Sequence, residues 1–193
     1  MNPKQVQIIS TARILFWKYG LRRVTIEEIC EEARVSKMTF YKFFKNKVEL
    51  AKCILDRIEA DATEKYENIM NRDIPFQEKV TETINLKMEQ VDQLSSEFYA
   101  DLHQRKIPEL ADHFNYLSNK NIQLIVKDYR QAQKKGEIRK DLKIEFILYQ
   151  LKKLLEMAND PNLIRLYKTP KDLIMELTRF FFYGISPGDL NEE

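Results

Sequence analysis

Residues 25–50 read TIEEICEEARVSKMTFYKFFKNKVEL, and this stretch decides the fold. Thr25 is followed three residues later by Glu28, the reciprocal capping box that satisfies two orphan backbone donors at a helix start. Ser36 stands where the next N-cap belongs. Two short helices separated by a tight turn are therefore predicted, the first running to about Arg34 and the second from Ser36 to about Phe44. Charge is segregated along the stretch. From Arg34 through Lys47 there are five basic residues (Arg34, Lys37, Lys42, Lys45, Lys47) and no acid, whereas EEICEE lies just upstream and Glu49 just downstream.

A helix preceding two such short helices completes a helix-turn-helix, whose second helix is built to enter a DNA groove. At about 100° per residue, Phe40 and Phe44 stack on one side of the second helix, with Phe43 at its margin. Lys37, Met38, Tyr41 and Lys42 lie toward the other side. The phenylalanines are read as anchors in a core. The lysines, Thr39 and Tyr41 are read as facing a polyanion.

Working outward, Ile8, Ala12, Leu15 and Tyr19 share one face of a helix from about Pro3 to Tyr19, widened by Ile9 and Phe16; Trp17 is read as core. Pro3 suits the first turn and Gly20 the position just past the end. Asn46 and Glu49 repeat the capping pattern ahead of a long helix to about Met70. Further helices are predicted from Pro75 to Val91, Ser95 to His103, Pro108 to Lys135, Lys143 to Ala158 and, after the break at NDPN, from TPKD to Gly184. No alternating strand pattern or internal repeat occurs, so the fold class is all-α with about nine helices.

Composition agrees. The chain has 193 residues, 44% hydrophobic and 32% charged, with 4 glycines and 6 prolines; so few breakers favour long helices. Residues 1–60 hold 12 Lys/Arg against 7 Asp/Glu, although the whole chain is only +2. The basic excess in the first third points to a polyanion partner there. Cys30 and Cys53 match no metal spacing, and Cys30 on an apolar face is read as a reduced, buried thiol. His103 and His113 fit no metal spacing either. The N-terminus lacks the pattern of a signal peptide, and no run of about 18 apolar residues occurs. A cytoplasmic protein without a membrane span is expected.

GLRRVTIEEICEEARVSKMTFYKFFKNKVELAKCIL, residues 20–55, resembles the DNA-binding region of the TetR (tetracycline-repressor-like) transcriptional regulators. The matching elements are Gly20, Thr25, the VSKMTFYKFF helix and the KNK leading into the long helix; KKGEIRKDL at 134–142 is similar to the family's glycine-ended helix with its Arg-x-Asp step. Position by position, the resemblance implies phosphate contacts from Thr25, Tyr41 and Lys47. It implies phosphate or base-edge contacts from Ser36 and Thr39, and base contacts from Lys37 and Met38. Phe43 departs from the family's usual His or Tyr and is read as packing; Lys42 is read as a phosphate contact or a solvated lysine. Residues 1–47 are thereby assigned to a DNA-binding domain and 48–193 to a helical effector-binding and dimerisation domain.

The segment LIMELTRFFFYGI, residues 173–185, is apolar nearly all round and must be buried nearly all round. Paired with IEFILYQLKKLLEMA, it is assigned to a homodimer interface that includes Phe146, Tyr149, Leu154, Leu173, Leu177, Phe180 and Phe181. The family implies a small-molecule effector pocket as well. Phe98, Tyr99, His103, Phe114, Tyr116 and Tyr129 are its candidate lining, each also consistent with ordinary core. The expected partners are a palindromic double-stranded DNA operator, an effector of unidentified chemistry and a second copy of the chain. No metal or cofactor is expected. An effector-free DNA-binding protein is an alternative. An all-α enzyme is the remaining one, and it lacks a Glu-x-x-His pair, a Gly-rich phosphate loop or a nucleophile constellation to support it.

Overall fold

The structure, a computed structural model, describes residues 1–91, 98, 101–102, 107–158 and 160–185. Among them are nine helices and no strands: α1 Pro3–Tyr19, α2 Ile26–Glu32, α3 Lys37–Phe43, α4 Lys47–Met70, α5 Phe76–Val91, α6 Pro108–Lys135, α7 Ile144–Ala158, α8 Pro161–Ile164 and α9 Pro170–Ile185. The all-α class read from the sequence is the fold observed. Most of the helix expected over 95–103 lies outside the described residues, although Phe98, Asp101 and Leu102 are helical. The NDPN break holds a turn of helix, α8, because the Asp160 side chain accepts from the Asn162 N–H at 2.8 Å and caps it.

The chain divides into two compact units: Met1–Glu64 with Gln90–Lys120, and Lys65–Glu89 with the chain from Asn121 onward. In the first, α1 starts on the Asn2 side chain, which accepts from Lys4 N–H at 3.0 Å. It buries Ile8, Ile9, Ala12 and Phe16. These meet Leu21, Ile29, Phe40, Phe44, Leu50 and Ile54 in one core that also takes Phe98, Leu102 and Leu110. The Phe98 ring lies 4.5 Å from that of Trp17, centroid to centroid. Each fully buried side chain of this size contributes roughly 1.5–3 kcal/mol by leaving water.

In the second unit, Phe76, Val80, Tyr129, Ile138, Ile147, Leu154, Phe181 and Phe182 form a separate core. Burial holds the Tyr129 phenol neutral, well above its ordinary range. The Gly136 turn that ends α6 is pinned by Gln133, whose Nε2 donates to Arg139 O at 2.9 Å and Leu142 O at 2.8 Å. Arg139 holds Asp141 at 2.6 Å, and its N–H donates to Ile185 O at 2.9 Å. The KKGEIRKDL segment is thus a structural clasp on the end of α9.

Candidate nucleic-acid interface

The turn between α2 and α3 is set by backbone hydrogen bonds. Ala33 ends α2, Val35 N–H donates to Cys30 O at 2.9 Å and Arg34 N–H to Glu31 O at 3.0 Å. That is the Schellman pattern, which requires a left-handed residue just past the helix end. Arg34 fills it, with φ 50°, among the described residues the single non-glycine at positive φ. Helix α2 therefore stops two residues before the Arg34 boundary expected from sequence, because Arg34 has turned left-handed.

Helix α3 presents the two faces expected of it. Phe40 is fully buried and Phe44 nearly so, their ring centroids 5.9 Å apart, and Phe43 is partly buried against the same core. On the other side Met38 is 84% exposed and Tyr41 55% exposed, with Lys37, Lys42 and Lys45 also exposed. An apolar Met side chain standing in water at a helix-turn-helix is suited to a thymine methyl or another apolar surface of a base.

The polar candidates are held in local networks. Thr25 Oγ1 accepts from Glu28 N–H at 3.2 Å, and Glu28 Oε2 accepts from Thr25 N–H at 2.7 Å. The Thr25 backbone N–H, chiefly, keeps the Glu28 carboxyl below the usual carboxylate range. Ser36 Oγ accepts from Thr39 N–H at 3.1 Å and lies 3.0 Å from Thr39 Oγ1. Lys37 is ion-paired with Glu27, which brings α2 and α3 into direct side-chain contact. The hydrogen bond from Lys37 is the main cause of the lowered Glu27 pKa. Lys47 Nζ donates to Arg22 O at 3.1 Å and to Val24 O at 2.9 Å. Burial pulls this ammonium below its ordinary pKa, against the opposing pull of the Asp101 and Glu28 carboxylates. Lys47 thus braces the turn between α1 and α2.

The remaining candidates do not form one cluster. Phe98 and Phe114 belong to the core of the first unit, Tyr129 to that of the second, where its ring packs edge-on at 5.0 Å from Phe76. Tyr116 is 65% exposed. Tyr99 and His103 lie outside the described residues. Of the dimer candidates, Leu154, Leu173 and Phe181 are buried and Leu177 partly so within the unit, since α7 and α9 pack on each other and spend their inner faces there. Phe146, Tyr149 and Phe180 stay exposed, and Met157 and Tyr183 join them.

Sequence reasoning missed two charged groups: Glu27 opposite Lys37, and Asp101. Helical spacing across the α2–α3 turn does not reveal the first, and the second acts over 80 residues of chain. Among the described residues no group of three or more His, Cys, Asp or Glu converges as a metal set, and no helix is long and apolar enough to cross a membrane.

A three-helix head whose third helix is basic and exposed on one side has the form of a helix-turn-helix. The family model described as "Bacterial regulatory proteins, tetR family" matches residues 8–54. The likeness to this family covers the head of the chain. A Bacillus subtilis relative, the HTH-type transcriptional regulator YhgD, is 33% identical over 73 residues, 38% of each chain; the likeness thus spans well under half of that protein. Among solved structures, the fatty acid degradation regulator FadR from Bacillus halodurans is similar with a TM-score of 0.76 at 19% identity, covering 100% of this chain and 99% of that one. FadR from Bacillus subtilis, solved in complex with stearoyl-CoA, gives a TM-score of 0.76 at 17% identity, covering 93% of this chain and 98% of that one.

Proposed function

We propose that the protein is a sequence-specific DNA-binding transcriptional repressor that grips a palindromic operator as a homodimer and is released by a small molecule. The observation that carries this reading is the division of α3, with Phe40 and Phe44 buried and Lys37, Met38, Tyr41 and Lys42 exposed. Residues 1–47 carry the contacts to DNA, and 48–193 the effector and dimer functions. Lys37 and Met38 read base edges, and Ser36 and Thr39 contact phosphates or base edges. Thr25, Tyr41, Lys42 and Lys47 hold phosphates, which set register without reading sequence. Lys47 reaches a phosphate from the same place in which it braces the turn.

The exposed Phe146, Tyr149 and Met157 of α7 with Phe180 and Tyr183 of α9 supply the apolar surface for a second copy. Two recognition helices in such a dimer would sit about one helical turn apart, roughly 34–36 Å, on one face of the duplex. An effector favouring another separation weakens operator binding by its differential affinity for the two states. For its chemistry, the fold shared with a stearoyl-CoA-bound regulator directs the first search to ligands with a long apolar chain.

Selection of random duplex DNA by the purified protein tests the reading. An enriched inverted repeat is expected; no enrichment at low salt, where phosphate contacts are strongest, would sink it. Stearoyl-CoA and related thioesters then serve as the first thermal-shift panel, a bound ligand raising the Tm by mass action. A selected operator with no ligand effect would instead favour an effector-free regulator.

A further inference from the structure

Asp101 is 3% exposed, although it sits outside the region that contacts DNA in the reading above. A buried carboxylate costs free energy unless it is hydrogen-bonded, so its partners say what it is for. One carboxylate oxygen accepts from the N–H of Leu21 at 2.8 Å and, more weakly, from that of Arg22 at 3.4 Å. The carbonyl of Arg22 in turn accepts from Lys47 Nζ, as does that of Val24. Arg22 is thus held from both sides, its N–H by an acid and its C=O by a base. The turn so clamped carries Arg22 and Arg23, both exposed, and runs directly into Thr25, the cap of α2.

The segment that delivers the carboxylate has its own anchors. Phe98 is buried on Trp17, and Leu102 is buried in the same core. At helical spacing, 98, 101 and 102 share one face, so two apolar side chains seat the segment and the acid between them addresses the turn.

We propose that Asp101 is a positioning residue for DNA binding: it sets the turn between α1 and α2, and through it Lys47 and the start of α2, so that losing its hydrogen bonds to Leu21 and Arg22 loosens the grip on DNA. This rests on the DNA-binding reading of the head.

The test compares the full-length protein with Asp101→Ala and Asp101→Asn, using the operator obtained by selection. Asn keeps the volume and one acceptor oxygen, and both amides bond to one oxygen. Asp101→Ala is expected to lower operator affinity on the order of tenfold and to speed hydrogen exchange at the Leu21 amide. Asp101→Asn should recover most of both losses. Emission from Trp17, the single tryptophan of the chain, reports whether the segment remains seated and should be unchanged in both. A merely stabilising role would lower the Tm while leaving operator affinity of the folded protein as in the parent; that result overturns the proposal. If Asp101→Ala does not fold, Asp101→Ser, whose shorter side chain falls short of the Leu21 amide, takes its place, and faster exchange at Leu21 with parental operator affinity overturns the proposal. Failure of the parent to bind any DNA would instead strike the DNA-binding reading, and the Leu21 exchange would still decide whether Asp101 holds the turn.

Discussion

Lys37 carries the sharpest residue-scale consequence. Its ammonium is engaged by Glu27, so on the proposed reading a base would compete with an acid of the protein itself. In that reading a guanine edge, which offers two acceptors to a cation, would be favoured over indiscriminate contact. Lys37→Ala should relax the preference at one base pair by about 1–3 kcal/mol, read by anisotropy on matched and mismatched operators; equal losses on both would refute base reading. Glu27→Gln should do the reverse, tightening binding to all duplexes, most strongly at low salt. The acid itself is testable by pH. A carboxyl held down by a cation contributes stability above its unfolded pKa and loses it as pH falls through the lower folded value. NMR titration of Glu27 should therefore show a midpoint below the usual carboxylate range, returning toward it in Lys37→Ala.

At the scale of elements, the geometry of the head depends on two turns with unusual backbone. Gly20, after α1, has φ 78° and ψ 156°, a region open in practice only to glycine. Gly20→Ala should cost about 1–3 kcal/mol, seen as a lower midpoint in chemical denaturation. Arg34, in the α2–α3 turn, occupies a left-handed position without being glycine. Arg34→Gly relieves about 1–2 kcal/mol of steric cost and adds about 0.5–1 kcal/mol of unfolded-chain entropy. The net should be a Tm raised slightly, with weaker DNA binding because a cation beside α3 is gone. A lowered Tm would contradict the left-handed assignment.

For the whole molecule, the exposed apolar side chains of α7 and α9 matter most. Phe180 is 78% exposed and Tyr183 85%, an unusual surface unless something covers it. Phe180→Glu combined with Tyr149→Glu should shift the protein toward monomer in sedimentation at micromolar concentration and leave its helical content intact. Operator affinity should fall with it, since a monomer holds one half-site. A variant that stays dimeric would place the interface elsewhere.

Much of the fold was legible because local rules wrote it. Capping pairs at Thr25, Ser36, Asn46 and Thr169 mark helix starts, Gly20 and Gly136 mark ends, and the 3.6-residue period of Phe40 and Phe44 separates the buried side of α3 from its exposed side. These signals act within one or two turns of chain, so the sequence alone carries them. It could not divide LIMELTRFFFYGI between the core of one unit and a free surface, since a helix apolar on two sides looks alike from either. Nor could it show Lys37 meeting Glu27, Lys47 bracing the turn between α1 and α2 as well as standing where a phosphate contact was read, or Asp101 holding Leu21. Those pairings join residues distant in sequence or separated by a turn, and only the packing of α1 to α4 with Phe98 and Leu102 brings their polar atoms within bonding distance.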